Sequence, residues 1–133
     1  MKYLLILLCA ITADVSAQSQ RSLAELTPGS DFENIQSQPL NSDSNVSSFL
    51  IWIRKEVKPH LHAAHSEHVY VLEGRAQMLL DGKILEVKAG DLIFIPQGVV
   101  HAVRVTSEIP LKVISVQAPC FDGKDRVPVD MSW

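Results

Sequence analysis

The residues of this 133-residue chain best suited to chemistry are its histidines. Four of the five fall within nine positions and have a glutamate among them: His60, His62, His65, Glu67 and His68. Because His60 and His62 are two residues apart, both side chains point to the same face of a β-strand. Glu67 follows His62 by five residues, across a predicted turn at 63–66, so a returning strand can direct it to the same space. With His101, the set has three imidazoles and a carboxylate, which suits Mn, Fe, Ni, Cu or Zn rather than Ca or Mg.

The chain from Ser48 onward predicts the strands that would position these side chains. Seven short runs rich in Val, Ile and aromatic residues are separated by turn residues, at 49–57, 68–72, 76–80, 83–87, 92–95, 102–106 and 111–117. Such spacing is typical of sandwiches and barrels. Asp81-Gly82 predicts a type I′ hairpin, because both turn positions need positive φ. No stretch beyond Ser48 sustains helical spacing, so the predicted class is all-β, a jelly roll or closed sandwich.

Two histidine-containing motifs resemble the two signatures of the cupin family. The first signature is Gly, five residues, His-x-His, three or four residues, Glu, six residues and Gly, and from its first histidine onward it is matched by His60, His62, Glu67 and Gly74. The second is Gly, five residues, Pro-x-Gly, two residues, His, three residues and Asn, and as far as its histidine it is matched by Gly90, Pro96, Gly98 and His101. The resemblance implies an antiparallel jelly-roll β-barrel of about six to eight strands. It also implies that one divalent transition metal binds inside that barrel to His60, His62, Glu67 and His101.

The chain departs from the two signatures at two positions, neither of them a ligand. Arg54 stands where the first signature begins with glycine, and we expect it to alter only a bend. Val105 stands where the second signature ends with asparagine, a polar group that often steadies the site. We therefore expect the ligands to be oriented differently from those of other cupins.

The remaining histidines are not signature ligands. His65 falls in the predicted turn, where it is either an exposed or rim residue or a general acid/base at the barrel mouth. His68 neighbours Glu67, so we expect it to face away from the metal, and Tyr70 to pack on the same outer face.

The residues expected to line the barrel are mostly apolar: Val69, Val71, Met78, Phe94 and Val103. Such a lining indicates a small substrate that is largely uncharged or aromatic and is held by the metal. No arginine stands at a signature position that points inward, which weakens interpretations based on oxalate or other dicarboxylates.

Residues 1–17 have the pattern of a signal peptide. Lys2 precedes an apolar run of about ten residues, and Val15-Ser16-Ala17 has the small-residue spacing of a cleavage site. The run is too short to cross a bilayer, so we expect cleavage after Ala17, no stable membrane insertion, and a periplasmic or secreted protein. The predicted organisation continues with a polar arm at 18–47, including a short edge strand around 32–40, and a cupin domain with a C-terminal extension at 48–133.

Charge and cysteine content narrow the possible partners. Without the leader the chain has 11 basic and 14 acidic residues and no basic cluster, so we do not expect it to bind nucleic acid. Cys120 is then the single cysteine, either a small buried hydrophobe or half of an interchain disulfide. We expect the tail at 121–133 to cover a sheet edge or pair with another subunit. The resemblance implies a homodimer.

Two functional hypotheses follow from these observations. The first is an exported metal-dependent enzyme of the dioxygenase, lyase/decarboxylase or isomerase class, acting on a small organic molecule in the barrel. The alternative is a non-catalytic module that binds a metal or small ligand, because fold alone does not select a reaction.

Overall fold

The computed structural model of the protein describes residues 20–29 and 31–133. The predicted signal peptide and its cleavage site after Ala17 lie outside the described residues. Within those residues, no helix has the length and apolar character needed to cross a membrane.

The described chain is built from ten β-strands. They are β1 (Ile35–Ser42), β2 (Ser47–Ile53), β3 (Glu56–His62), β4 (Ser66–Glu73), β5 (Arg75–Leu80), β6 (Lys83–Lys88), β7 (Leu92–Ile95), β8 (His101–Val105), β9 (Leu111–Ala118) and β10 (Arg126–Pro128). They form two five-stranded sheets with the orders β1-β2-β9-β4-β7 and β10-β3-β8-β5-β6. Neighbouring strands run antiparallel, which confirms the predicted all-β jelly roll.

The strand count exceeds the predicted six to eight for two reasons. The apolar run at 49–57 is divided into β2 and β3 by a bend at Arg54 and Lys55. In addition, β1 and β10 extend the two sheets at their edges. The strand expected around 32–40 is found as β1, which pairs with β2 along its length, so part of the predicted polar arm belongs to the first sheet. The tail covers the edge of β3 through β10, as expected.

Alternation along the strands separates the interior from the outer faces. In β4, Glu67 and Val71 are buried, whereas His68 and Tyr70 point outward and Tyr70 is 40% exposed. The same alternation buries both His60 and His62 of β3. Between the sheets lies an apolar core of Ile53, Val71, Ala76, Met78, Val87, Ile93, Ile95, Leu111 and Val113.

The turn between β5 and β6 has the predicted hairpin geometry. Asp81 has a φ of 49° and Gly82 a φ of 75°, and the flanking residues pair in register. Positive φ at both central positions is the requirement of a type I′ turn, whose twist matches that of the flanking strands.

Candidate metal centre

Two neighbouring strands bring the three predicted histidine ligands together. His60 and His62 lie on β3, and His101 lies on β8 directly opposite His60 in the strand pairing. All three side chains are buried, and each offers a ring nitrogen within 4.8 Å of the others. The parity of β3 and the antiparallel pairing with β8 therefore direct three imidazoles into one space between the sheets.

Glu67 enters the same space from the opposite sheet. Its Oε2 lies 3.3 Å from Nε2 of His62 and 3.4 Å from Nε2 of His101. The structure thus brings all four residues predicted as ligands to one place, although they come from strands of both sheets.

Backbone contacts determine which nitrogen His60 and His101 present to the interior. Nδ1 of His60 lies 2.9 Å from the carbonyl oxygen of Lys58, and Nδ1 of His101 lies 3.1 Å from that of Val99. Because a carbonyl oxygen only accepts, each Nδ1 carries the proton and donates it. Each Nε2 therefore keeps its lone pair, the arrangement in which a neutral histidine binds a metal.

Burial keeps His60 uncharged. The pKa of His60 falls from 6.5 to about 3, first because burial penalises the imidazolium and second because His101 would repel it. An uncharged imidazole is the form that coordinates a metal, so His60 is ready to bind at neutral pH without losing a proton.

The second oxygen of Glu67 is held by β9. Ser115 donates a short hydrogen bond to Oε1, and Nε2 of Gln117 lies 3.4 Å from the same oxygen and 3.0 Å from the Ser115 hydroxyl. Burial alone would raise the pKa of Glu67, but the imidazoles of His101 and His62 beside Oε2 and the hydroxyl of Ser115 outweigh burial and hold that pKa well below its usual range. Glu67 is therefore a carboxylate with Oε2 left for the interior.

His65 occupies a different position from the exposed or rim site expected from the sequence. It is 2% exposed and stacks on His62 at 4.2 Å between ring centroids. Its Nδ1 lies 2.6 Å from Oδ2 of Asp125, so a partner 60 positions away in the sequence holds it inside. Burial lowers the pKa of His65, and His62 lowers it further, whereas Asp125 opposes both. Its predicted role as a general acid/base stays a prediction.

Asp125 also faces the metal-ligand set. Its Oδ1 lies 3.6 Å from Nδ1 of His62, and neither atom has a hydrogen-bond partner among the residues that the structure describes. The amide of Ala64 donates to Oδ2, and the amide of Ala63 donates to the main-chain carbonyl oxygen of Asp125. The carboxylate of Asp125 is therefore fixed between the imidazoles of His62 and His65.

The four predicted ligands fit a divalent transition metal. Nδ1 protons of two histidines are held by main-chain carbonyl groups, and one carboxylate oxygen is held by Ser115 and Gln117. Three imidazole nitrogens with one carboxylate oxygen form the mixed donor set that such metals prefer. Val105, which stands at the position of the signature asparagine, packs against the apolar core, and the hydrogen bonds that hold the predicted ligands come from other residues.

A cavity of about 280 Å³ opens beside the ligands and has mainly apolar walls. The predicted lining is confirmed for Val69, Val71, Met78 and Val103. It is wrong for Phe94, which is 51% exposed because it pairs with the outward-facing His68. Its neighbours Ile93 and Ile95 point inward in its place.

Sequence reasoning missed several residues at this site. Arg126 lines the cavity, and its Nη2 lies 3.3 Å from Nδ1 of His60. It reaches the site because it pairs with His62 in the short strand β10, a contact that no local pattern indicates. Ser115 and Gln117 were predictable only as inward positions of a strand. Cys120 is half-buried and unpaired in the described chain, and the interchain disulfide stays a prediction.

The family profile described as "Cupin domain" matches residues 50–117, and the chain belongs to the cupin family. An uncharacterized protein of Aquifex aeolicus is 39% identical over 99 residues, which cover 74% of this chain and 81% of that protein. Quercetin 2,3-dioxygenase of Bacillus subtilis is 35% identical over 60 residues, or 45% of this chain and 18% of that enzyme. The solved structure of an RmlC-like cupin from Shewanella frigidimarina superposes with a TM-score of 0.65 and 28% identity, covering 79% of this chain and 95% of that one.

Proposed function

We propose that this protein is a metal-dependent cupin enzyme that acts on a small organic molecule bound between its two sheets. The observation that supports this most directly is that four side chains converge in the wall of a mainly apolar cavity: His60, His62, Glu67 and His101. Reactive and binding sites commonly combine apolar walls with a few convergent polar groups.

In this proposal the chain's own residues have distinct tasks. His60, His62, Glu67 and His101 hold the metal, and Ser115 with Gln117 holds the carboxylate of Glu67 in place. The apolar walls bind the body of the substrate and exclude water from it. A bound divalent metal would supply Lewis-acid or oxygen-binding chemistry to a group that coordinates it directly.

Resemblance to an enzyme supports catalysis but does not identify the reaction. The segment shared with quercetin 2,3-dioxygenase is a small part of that enzyme, so its substrate is not carried over to this chain. The reaction class, whether dioxygenase, lyase/decarboxylase or isomerase, is selected by the metal and by the substrate.

The proposal is tested by loading the protein with Co²⁺, Fe²⁺, Mn²⁺ or Zn²⁺ and incubating it with an extract of small metabolites. Mass spectrometry should show at least one compound consumed by one loaded form of the wild type. The same compound should persist with the His60→Ala/His101→Ala variant. His68→Ala is a matched control, because His68 faces outward and contacts Phe94 rather than the ligands.

A different outcome would favour the alternative function. Retention of metal and of an extracted small molecule, with no compound consumed by any loaded form, would identify a binding module without turnover. A wild type that retains no more metal than the His60→Ala/His101→Ala variant would contradict both the enzyme and the binding-module proposals.

Two further parts of the proposal concern the protein's setting. The pattern of residues 1–17 supports export to the periplasm or beyond, and N-terminal sequencing of the mature protein should begin at Gln18.

A homodimer is supported by the edge strand β7, whose outward Leu92 and Phe94 are 65% and 51% exposed. Light scattering should give twice the chain mass, and Leu92→Lys/Phe94→Lys should reduce it to one chain.

A further inference from the structure

Of the residues that the structure describes, Arg126 is the one lysine or arginine in the wall of the cavity beside the predicted metal ligands. We propose that it binds the carboxylate of a small carboxylic acid whose apolar part occupies the cavity. This inference rests on the proposed function, since it names the substrate class of the same site, and its binding test is separable from catalysis.

The backbone on both sides of Arg126 is fixed. Arg126 pairs with His62 in the register of β10 and β3, so its side chain lies on the same face of the sheet as the imidazole. The carbonyl oxygen of Asp125 accepts a hydrogen bond from Ala63, and the amide of Val129 donates one to Pro59. The strand pairing and these two hydrogen bonds hold the backbone of Arg126 in one position, which keeps its guanidinium beside the cavity.

The guanidinium of Arg126 forms no ion pair with a carboxylate of the part of the chain that the structure describes. Within the described ranges no carboxylate lies within 4.0 Å of its nitrogens, although Glu67 and Asp125 are both near the site. Those two carboxylates are engaged by histidines, and Glu67 also accepts from Ser115. Among the described residues the positive charge of Arg126 therefore has no carboxylate partner, and the side chain stays open to solvent.

The nearest ring nitrogen does not satisfy Arg126 either. Nδ1 of His60 lies 3.3 Å from Nη2, but that nitrogen donates its proton to the carbonyl oxygen of Lys58. A protonated Nδ1 has no lone pair to accept a second hydrogen bond. An arginine fork with unused donors facing a cavity is well suited to a carboxylate, which it binds through two parallel hydrogen bonds.

The other walls indicate what accompanies that carboxylate. They are formed mainly by Val, Ile, Leu and Met side chains, so the body of the ligand is apolar. The volume of about 280 Å³ corresponds to a small molecule. The single guanidinium in this wall matches the charge of a group with one negative charge, such as a carboxylate.

Isothermal titration with hexanoate, and with hexanamide as its uncharged counterpart, tests the inference. Hexanoate should bind the wild type, and Arg126→Gln should weaken that binding by roughly 10- to 100-fold. Hexanamide should bind more weakly than hexanoate to the wild type and equally to both proteins. Arg75→Gln is the matched control, because Arg75, like Arg126, is an exposed arginine at the start of a strand but does not line the cavity.

The titrations are carried out on chelator-treated protein as well as on protein loaded with Zn²⁺. The effect of Arg126→Gln should persist without metal, so a failure of metal binding would leave this measurement readable. If Arg126→Gln does not fold, the inference is tested by whether the wild type binds hexanoate more tightly than hexanamide. Equal affinity for the two probes, no binding of hexanoate, or an unchanged affinity in a folded Arg126→Gln protein would each overturn the inference.

Discussion

Replacing Ser115 with alanine removes the hydroxyl that holds the carboxylate of Glu67. Ser115 is fully buried and Glu67 is 7% exposed, so water cannot replace the lost donor readily. The carboxylate would keep only the longer contact from Gln117, at 3.4 Å, on that oxygen. A buried hydrogen bond to a charged group contributes about 1.5–3 kcal/mol, and we expect Ser115→Ala to lower the free energy of unfolding by that amount.

The same change should weaken metal binding. Residues that orient a ligand typically affect metal affinity by about 10- to 100-fold when they are replaced. Urea unfolding of the metal-free protein measures the first effect, and competition of Co²⁺ with a chromophoric chelator measures the second. Ser48→Ala is the matched control, because the Ser48 hydroxyl donates to the carbonyl oxygen of Asn41 in an exposed position on a neighbouring strand.

The two effects distinguish orientation of the carboxylate from simple packing. Ser48→Ala should change the free energy of unfolding by less than about 0.5 kcal/mol and leave the affinity for Co²⁺ unchanged. If Ser115→Ala has the stability of the wild type and the same affinity for Co²⁺, Ser115 does not hold the carboxylate of Glu67 in place. A loss of stability with unchanged metal affinity would show that Oε1 does not influence Oε2.

Three further predictions follow from the described geometry. The pKa of His60 is about 3 in the folded protein and 6.5 in the unfolded chain, so the unfolded chain binds more protons as the pH falls below 6.5. The free energy of unfolding of the metal-free protein should therefore fall by about 1.4 kcal/mol per pH unit from this group. Urea titrations at several pH values measure this loss. Asp125→Asn should weaken Co²⁺ binding by about 10-fold by removing the charge 3.6 Å from Nδ1 of His62, and an unchanged chelator competition would contradict it. Gly74→Ala should lower the free energy of unfolding by more than about 1–2 kcal/mol, because φ is +85° and a Cβ would lie 2.9 Å from the carbonyl oxygen of Pro110. Gly82→Ala is the control and should lower it less, because a Cβ there meets open space. Equal losses in the two variants would contradict the packing argument.

Local patterns predicted the parts of the site that depend on strand parity. The spacing of His60 and His62 placed both on one face of β3, and the hairpin at Asp81 and Gly82 followed from turn chemistry. The prediction that Phe94 lines the barrel was wrong, because the pairing of β7 with β4 determines which face of β7 points inward. A pairing partner distant in the sequence decides which of two alternating sets is buried.

The parts of the site that depend on distant pairing were not predictable. His65 looked like a turn residue, but Asp125 holds it in the interior. Arg126 reaches the cavity only because three residues of the tail pair with β3. Both contacts join segments about 60 residues apart, and neither is marked by hydrophobic periodicity or turn composition.

Elemental analysis of the protein purified from its native compartment tests the central claim most directly. The wild type should carry close to one transition-metal ion per chain, and the His60→Ala/His101→Ala variant should carry almost none. His68→Ala should retain the wild-type content, since its ring lies on the outer face against Phe94. A wild type with no more metal than the double variant would contradict the assignment of His60, His62, Glu67 and His101 as metal ligands.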